Sequence, residues 1–97
     1  MPWSNPNSYP FTAQGIALNA PAQSGVYALY SNTQWIYIGE SGDIAARLVQ
    51  HLNGDNPRIT WAAPPSFSYE LVPSAQRVAR QNQLIAELRP LCNQRFG

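Results

Sequence analysis

The sequence contains no lysine; its six cations are all arginine, Arg47, Arg58, Arg77, Arg80, Arg89 and Arg95. Charged residues make up only 11% of the chain, less than half the usual share of about 25%. Five carboxylates leave a formal net charge of +1. So small a charge supplies almost no long-range field, which excludes a nucleic-acid binder that works by bulk electrostatics. A single cysteine, Cys92, excludes an internal disulfide and any cysteine-based zinc site. No apolar run approaches the roughly 20 residues of a membrane span. The opening MPWSNPNSYP has neither the basic region nor the apolar run of a secretion signal. The expectation is a soluble domain of the cytoplasm.

What the chain does have is apolar and aromatic. Hydrophobic residues reach 44%, with Trp 3, Tyr 5 and Phe 3, too many aromatics for a charged disordered segment. Ninety-seven residues make one small domain with a modest core. Within it, residues 1–24 read as an arm, because Pro2, Pro6, Pro10 and Pro21 remove backbone donors and fix φ. Trp3, Tyr9 and Phe11 are expected to hold that arm on the domain surface, with a short strand near Ile16–Leu18. The domain proper is assigned to residues 25–97.

From Gly25 the pattern sharpens. Residues 25–31 (GVYALYS) and 34–39 (QWIYIG) are rich in β-branched and aromatic residues around a polar tip, which predicts a β-hairpin. Ser41 or Asp43 can cap a helix from Asp43 to about Leu52, with Gly54 as its stop. A loop containing Pro57, Pro64 and Pro65 follows. Residues 66–72 (SFSYELV) alternate as a half-buried strand. Pro73 and Ser74 open a second helix that Pro90 ends. The order β-β-α-β-α belongs to the α+β class, a small antiparallel sheet with helices packed on it.

Several of these positions can carry chemistry. Arg47 and His51 are four apart on the first helix, at the edge of an apolar face formed by Ile44, Ala45, Leu48, Val49 and Leu52. A cation beside an imidazole suits an anionic substrate, although this pair alone is better explained by ordinary surface contacts. On the second helix, Val78, Leu84, Ile85 and Leu88 define an apolar stripe with Gln81 at its middle and Arg77 nearby. An uncompensated amide there would cost about 1–3 kcal/mol, so Gln81 either has core partners or borders a cavity. Tyr27 and Tyr37 share a face of the hairpin only if they are opposed or offset by two. That register needs an odd number of tip residues; a two-residue tip at Asn32–Thr33 would separate them.

Taken together, these features resemble the GIY-YIG nuclease domain from Gly25 to Asn93. Gly25-Val26-Tyr27 is similar to the first motif, with valine for isoleucine, and Tyr37-Ile38-Gly39 matches the second. Glu40-Ser41-Gly42-Asp43-Ile44, then Arg47-Leu48 and His51, continue the pattern; Leu84-Ile85 and Pro90-Leu91-Cys92-Asn93 close it. The resemblance implies a metal-dependent DNA endonuclease. Tyr27 would activate the attacking water or relay its proton. Tyr37 would hydrogen-bond that network or the scissile phosphate, and Arg47 would hold phosphate oxygens and stabilise the transition state. His51 would position the water or the Tyr27 hydroxyl, or accept the proton. Asn93 would support the site or contact the phosphate, and Gly39 would let backbone and substrate approach. With so small a net charge, affinity would rest on placed arginines, Arg47 at the phosphate with Arg77 and Arg80 beside it.

The departure is at Gln81, where the family pattern has a glutamate that is the sole protein ligand of Mg²⁺ or a similar hard cation, such as Mn²⁺. An amide removes the negative charge such cations favour, so metal-assisted chemistry should be weak or absent. Two accounts fit, a Glu→Gln substitution made in a nuclease or a natural member that binds without cutting. The intact company of Tyr27, Tyr37, Arg47, His51 and Asn93 favours the first. Alternatives of other classes are a non-catalytic DNA- or RNA-binding module, and a protein-interaction domain using Trp3, Tyr9 and Phe11. The expected oligomeric state is a monomer or a homodimer.

Overall fold

The computed structural model describes residues 7–93. Its centre is the hairpin of β2 (Gly25–Tyr30) and β3 (Trp35–Ser41), with β4 (Ser66–Leu71) on the other side of β2. A two-residue strand, β1 (Tyr9–Pro10), pairs with the outer edge of β4, so all four strands are antiparallel in the order β1-β4-β2-β3. Every residue of β2 from Gly25 to Leu29 is buried, because helices cover both faces of the sheet. On one face Tyr27, Leu29 and Phe67 pack with Ile44 and Leu48 of α2 (Ile44–Leu52) and Ile59 of α3 (Pro57–Ala62). On the other, Val26, Ala28, Ile38 and Val72 pack under Leu84 of α4 (Arg77–Leu88).

The face that each tyrosine takes is decided inside β3. The hairpin tip has four residues, Ser31 to Gln34, an even number, yet Tyr27 pairs with Gly39 and Leu29 with Tyr37. The parity changes because Tyr30 pairs with Trp35, leaving Ile36 as an extra residue, a β-bulge. Trp35 then belongs to the α4 side, while Ile36 and Tyr37 both belong to the α2 side. Tyr27 and Tyr37 are therefore offset by two on one face, by a route other than the odd-length tip.

The first helix of the sequence reading is α2, capped by Asp43, whose Oδ1 accepts from the Ala46 N–H at 3.0 Å. Gly54 turns the chain with φ 87°. A 3₁₀ turn over Ser74–Gln76 precedes α4, which ends at Arg89 in the left-handed conformation before Pro90.

Three expectations need correction. The segment near Ile16–Leu18 is not a strand but part of a helix, α1 (Ala13–Asn19). The window between Pro10 and Pro21 is free of proline, and Thr12 caps it by accepting from the Gly15 N–H at 2.9 Å. Gly15 is needed there because a side chain would overlap the Pro10 carbonyl. Second, the proline-containing loop holds α3, started by Asn56 as cap with Pro57 in the first turn. Third, Val78 is 55% exposed and lies outside the apolar stripe of α4, which centres on Leu84 with Ile85 and Leu88 beside it.

Tyr9 and Phe11 are half-buried against the core, and Tyr9 stacks on Tyr69 with centroids 5.7 Å apart. They close the core at the β4 edge rather than present a free contact surface. Trp3 lies outside the described residues.

Candidate active site

The site is built where β2, β3 and α2 meet. Tyr27 sits opposite Gly39, whose missing side chain makes room for the phenol; a methyl group would overlap the Tyr27 hydroxyl. Tyr37 lies beside it, ring centroids 6.2 Å apart. His51 reaches from α2 so that its ring packs 5.6 Å from Tyr27 and 5.1 Å from Tyr37. The Tyr27 hydroxyl and His51 Nε2 are 2.7 Å apart. One turn earlier on the same helix, the Arg47 guanidinium lies against both phenols.

A fifth residue joins them. Asp55 Oδ1 lies 2.9 Å from His51 Nδ1, and Asp55 Oδ2 accepts from Arg47 Nη1 at 2.6 Å. The same Nη1 also donates to Gln50 Oε1 at 2.6 Å. Asp55 is beyond the end of α2, but the left-handed turn at Gly54 folds it back, and its N–H donates to the Gln50 carbonyl. Sequence reasoning stopped at Arg47 and His51. The available signal for Asp55 is its position four residues after His51, although Asn53-Gly54 ends the helix before it.

The electrostatics follow from burial and this carboxylate. Burial, with Tyr37 adding to it, pushes the Tyr27 phenol far above its ordinary range, and the Arg47 guanidinium offsets only part. Burial also raises Tyr37. His51 is lowered by burial, against the pull of its hydrogen bond to Asp55. For Asp55, burial acts upward but is outweighed by His51 and Arg47, which hold the carboxyl below its usual range. At neutral pH the cluster therefore holds neutral phenols, a neutral imidazole, one carboxylate and one guanidinium. The His51 side chain is fully enclosed, whereas about a third of Arg47 is open to solvent (35%). Access is from the arginine side.

The other candidates sit elsewhere. Asn93 supports the strand rather than facing the cluster: its amide accepts from the Ile38 N–H at 2.7 Å and donates to the Ile38 carbonyl at 2.8 Å. Arg77 and Arg80 clasp α4 to the sheet. Glu40 and Glu70 flank Val26 on adjacent strands. Arg77 Nε donates to Glu40 at 2.6 Å, and Arg80 forms a two-pronged pair with Glu70 at 2.6 and 3.0 Å. Both guanidinium groups are thus engaged by carboxylates on the sheet face opposite Tyr27.

Gln81 is half-buried on α4, like Ile85 and Leu88 of the apolar stripe. Its amide donates to Asn82 Oδ1 at 3.4 Å, and no hydrogen bond joins it to Tyr27, Tyr37, Arg47 or His51. Among the described residues no group of three His, Cys, Asp or Glu could hold a metal ion. A neutral amide does not supply the negative charge that a hard divalent cation favours, so the residue at position 81 does not fit one.

Known proteins carry the same fold. Three solved structures of the N-terminal endonuclease domain of UvrC from Thermotoga maritima are similar to this chain, all bound to their catalytic divalent cation. The magnesium-bound one is 24% identical with a TM-score of 0.74, covering 84% of this chain and 96% of that one. A tyrosine-to-phenylalanine mutant is 24% identical with a TM-score of 0.74, and an asparagine-to-alanine mutant 23% identical with a TM-score of 0.75; each covers 86% of this chain and 96% of that one. No curated protein sequence matches. The model of the GIY-YIG catalytic domain matches residues 23–88. The chain belongs to the GIY-YIG family and carries its nuclease-type catalytic domain.

Proposed function

We propose that this chain is the catalytic core of a DNA endonuclease that hydrolyses phosphodiester bonds, in a form weakened by glutamine at position 81. The observation that carries this reading is the hydrogen-bonded set Tyr27–His51–Asp55–Arg47, closed at the histidine and open at the arginine. Arg47 Nη1 is taken by Gln50 and Asp55, and the guanidinium also bonds the two phenols, so a phosphate oxygen bound here would meet the cation and both hydroxyls together. Held there, the guanidinium stabilises charge developing on the phosphate, a role whose removal costs about 10²–10³ in rate for comparable donors. Tyr37 orients the phosphate or the water beside Tyr27. Tyr27, kept neutral by its burial, passes a proton rather than holding a resting phenolate.

Glutamate at position 81 would restore the charged ligand that a divalent cation such as Mg²⁺ or Mn²⁺ requires. No step is assigned to a metal in the chain as it stands. DNA is the proposed substrate, in repair or recombination, with RNA as the second candidate; the fold likeness to the UvrC domain supports that class. The cytoplasm is the proposed location, and among the described residues no helix is long and apolar enough to cross a membrane.

The test is the Gln81→Glu variant. It should cut or nick DNA in Mg²⁺ or Mn²⁺, and Tyr27→Phe or Arg47→Ala in that background should abolish the cutting. No cleavage of linear, branched, single-stranded or damaged DNA by Gln81→Glu would defeat the reading. Salt-dependent binding without that gain would instead favour a non-catalytic module, the reading that the amide at position 81 supports.

A further inference from the structure

We infer that Asp55 is a positioning residue: it fixes His51 in the tautomer protonated on Nδ1, so that the bare Nε2 takes the proton of the Tyr27 hydroxyl during hydrolysis. The tautomer follows from donor and acceptor chemistry. An ionised carboxylate can only accept, and Asp55 is ionised because Arg47 holds its other oxygen at 2.6 Å. The 2.9 Å contact with Asp55 therefore requires the hydrogen on Nδ1. A neutral imidazole has one donor and one acceptor, so Nε2 accepts, and across 2.7 Å the Tyr27 hydroxyl must be the donor. The phenol's lone pairs then point away from the histidine, to the side where the Arg47 guanidinium lies.

The consequence for the reaction rests on the nuclease reading above. A water O–H bond breaks and its proton passes to the Tyr27 oxygen as the Tyr27 proton moves to Nε2. The water oxygen forms the new bond to phosphorus while the ester P–O bond breaks, and the leaving oxygen takes a proton from solvent. The imidazolium, steadied by the Asp55 carboxylate, later returns a proton to solvent. Neither Tyr27 nor His51 need be ionised at rest, which agrees with the burial of both.

A surface ion-pair partner of Arg47 would not have this effect. The groups facing His51 are Tyr27 from β2, Tyr37 from β3, Arg47 from its own helix, and Asp55; Ile59 and Thr60 of α3, near the ring, do not titrate in this range. Asp55 is the one among them that stabilises an imidazolium.

The chain has a single histidine, so ¹⁵N NMR of the full chain reads its tautomer and titration directly. The Nδ1–H form should dominate at neutral pH. Asp55→Ala should raise the population protonated on Nε2, and Asp55→Asn, which keeps the shape, should move the His51 titration to lower pH. A native ring protonated on Nε2, or an unchanged titration in Asp55→Asn, would overturn the proposal. In the Gln81→Glu background, Asp55→Asn should lower kcat by about 10²-fold with little change in KM, and shift the acidic limb of the rate profile downward. A loss carried by KM with that limb unmoved would show that Asp55 acts only through Arg47. If Gln81→Glu cuts nothing, the nuclease reading fails, while the NMR results still decide the role of Asp55.

Discussion

Asn93 closes on both backbone polar groups of Ile38, accepting from its N–H and donating to its carbonyl. Ile38 belongs to β3, the outer strand of the sheet, and among the described residues no further strand satisfies those groups. The side chain thus acts as a one-residue strand at the edge nearest Tyr37.

Asn93→Ala should therefore destabilise the fold by about 2 kcal/mol, taking roughly 1 kcal/mol for each lost hydrogen bond. Urea unfolding measures this. In an active background the same variant should also lose rate, because the backbone following Tyr37 is no longer held. A variant as stable as the parent would show that water replaces the amide at no cost.

Arg80→Ala removes the two-pronged partner of Glu70, a carboxylate only 9% exposed. Charge-assisted bonds of this kind contribute about 1.5–3 kcal/mol, so unfolding should show a loss of that order. Mobility-shift titrations at several salt concentrations should give the parent's salt slope for Arg80→Ala and Arg77→Ala, and a shallower one for Arg47→Ala. A shallower slope for either α4 variant would place these arginines on the nucleic acid after all.

His51 also sets a pH dependence of stability. Its imidazole is held below its ordinary pKa in the fold, chiefly by burial, so the unfolded chain binds a proton first as pH falls. Stability should be full above about pH 6.5 and decline below it, by at most about 1.4 kcal/mol per pH unit, until the folded protein is protonated too. Asp55, also lowered, adds a loss of the same sign in a more acidic window. Urea midpoints measured between pH 7.5 and 5 should show the decline in the parent and a flatter profile in His51→Gln. Rising stability on acidification would contradict the burial account.

The hairpin, α2, β4 and α4 were legible because each carries a composition, a period or a cap: β-branched and aromatic residues in GVYALYS, alternation in SFSYELV, Asp43 before an apolar face, Pro90 after one. Arg47 and His51 were legible as neighbours from their four-residue spacing on one helix; it was the resemblance to the GIY-YIG domain, not spacing, that joined Tyr27 to them. What stayed hidden depends on through-space partners. The α1 helix is seven residues long, too short to show a period, and is held by Ile16 in the core. Asp55 depends on a left-handed turn that returns it to a helix already ended. Arg77 and Arg80 read as available cations because nothing in a one-dimensional pattern places Glu40 and Glu70 in one row across three strands. Position 81 was legible as a polar residue on the same side of the helix as Leu84, Ile85 and Leu88, and it is half-buried there; only Val78 was wrongly placed inside.

The bulge at Ile36 has a consequence for how the chain can vary. Because parity is corrected within β3, after the tip has ended, the face taken by Tyr37 does not depend on how many residues join Ser31 to Gln34. The tip is a neutral insertion point: it could be lengthened, shortened or given a label while the two phenols stay adjacent. A single deletion at Ile36, by contrast, would turn Tyr37 away and take the chemistry with it.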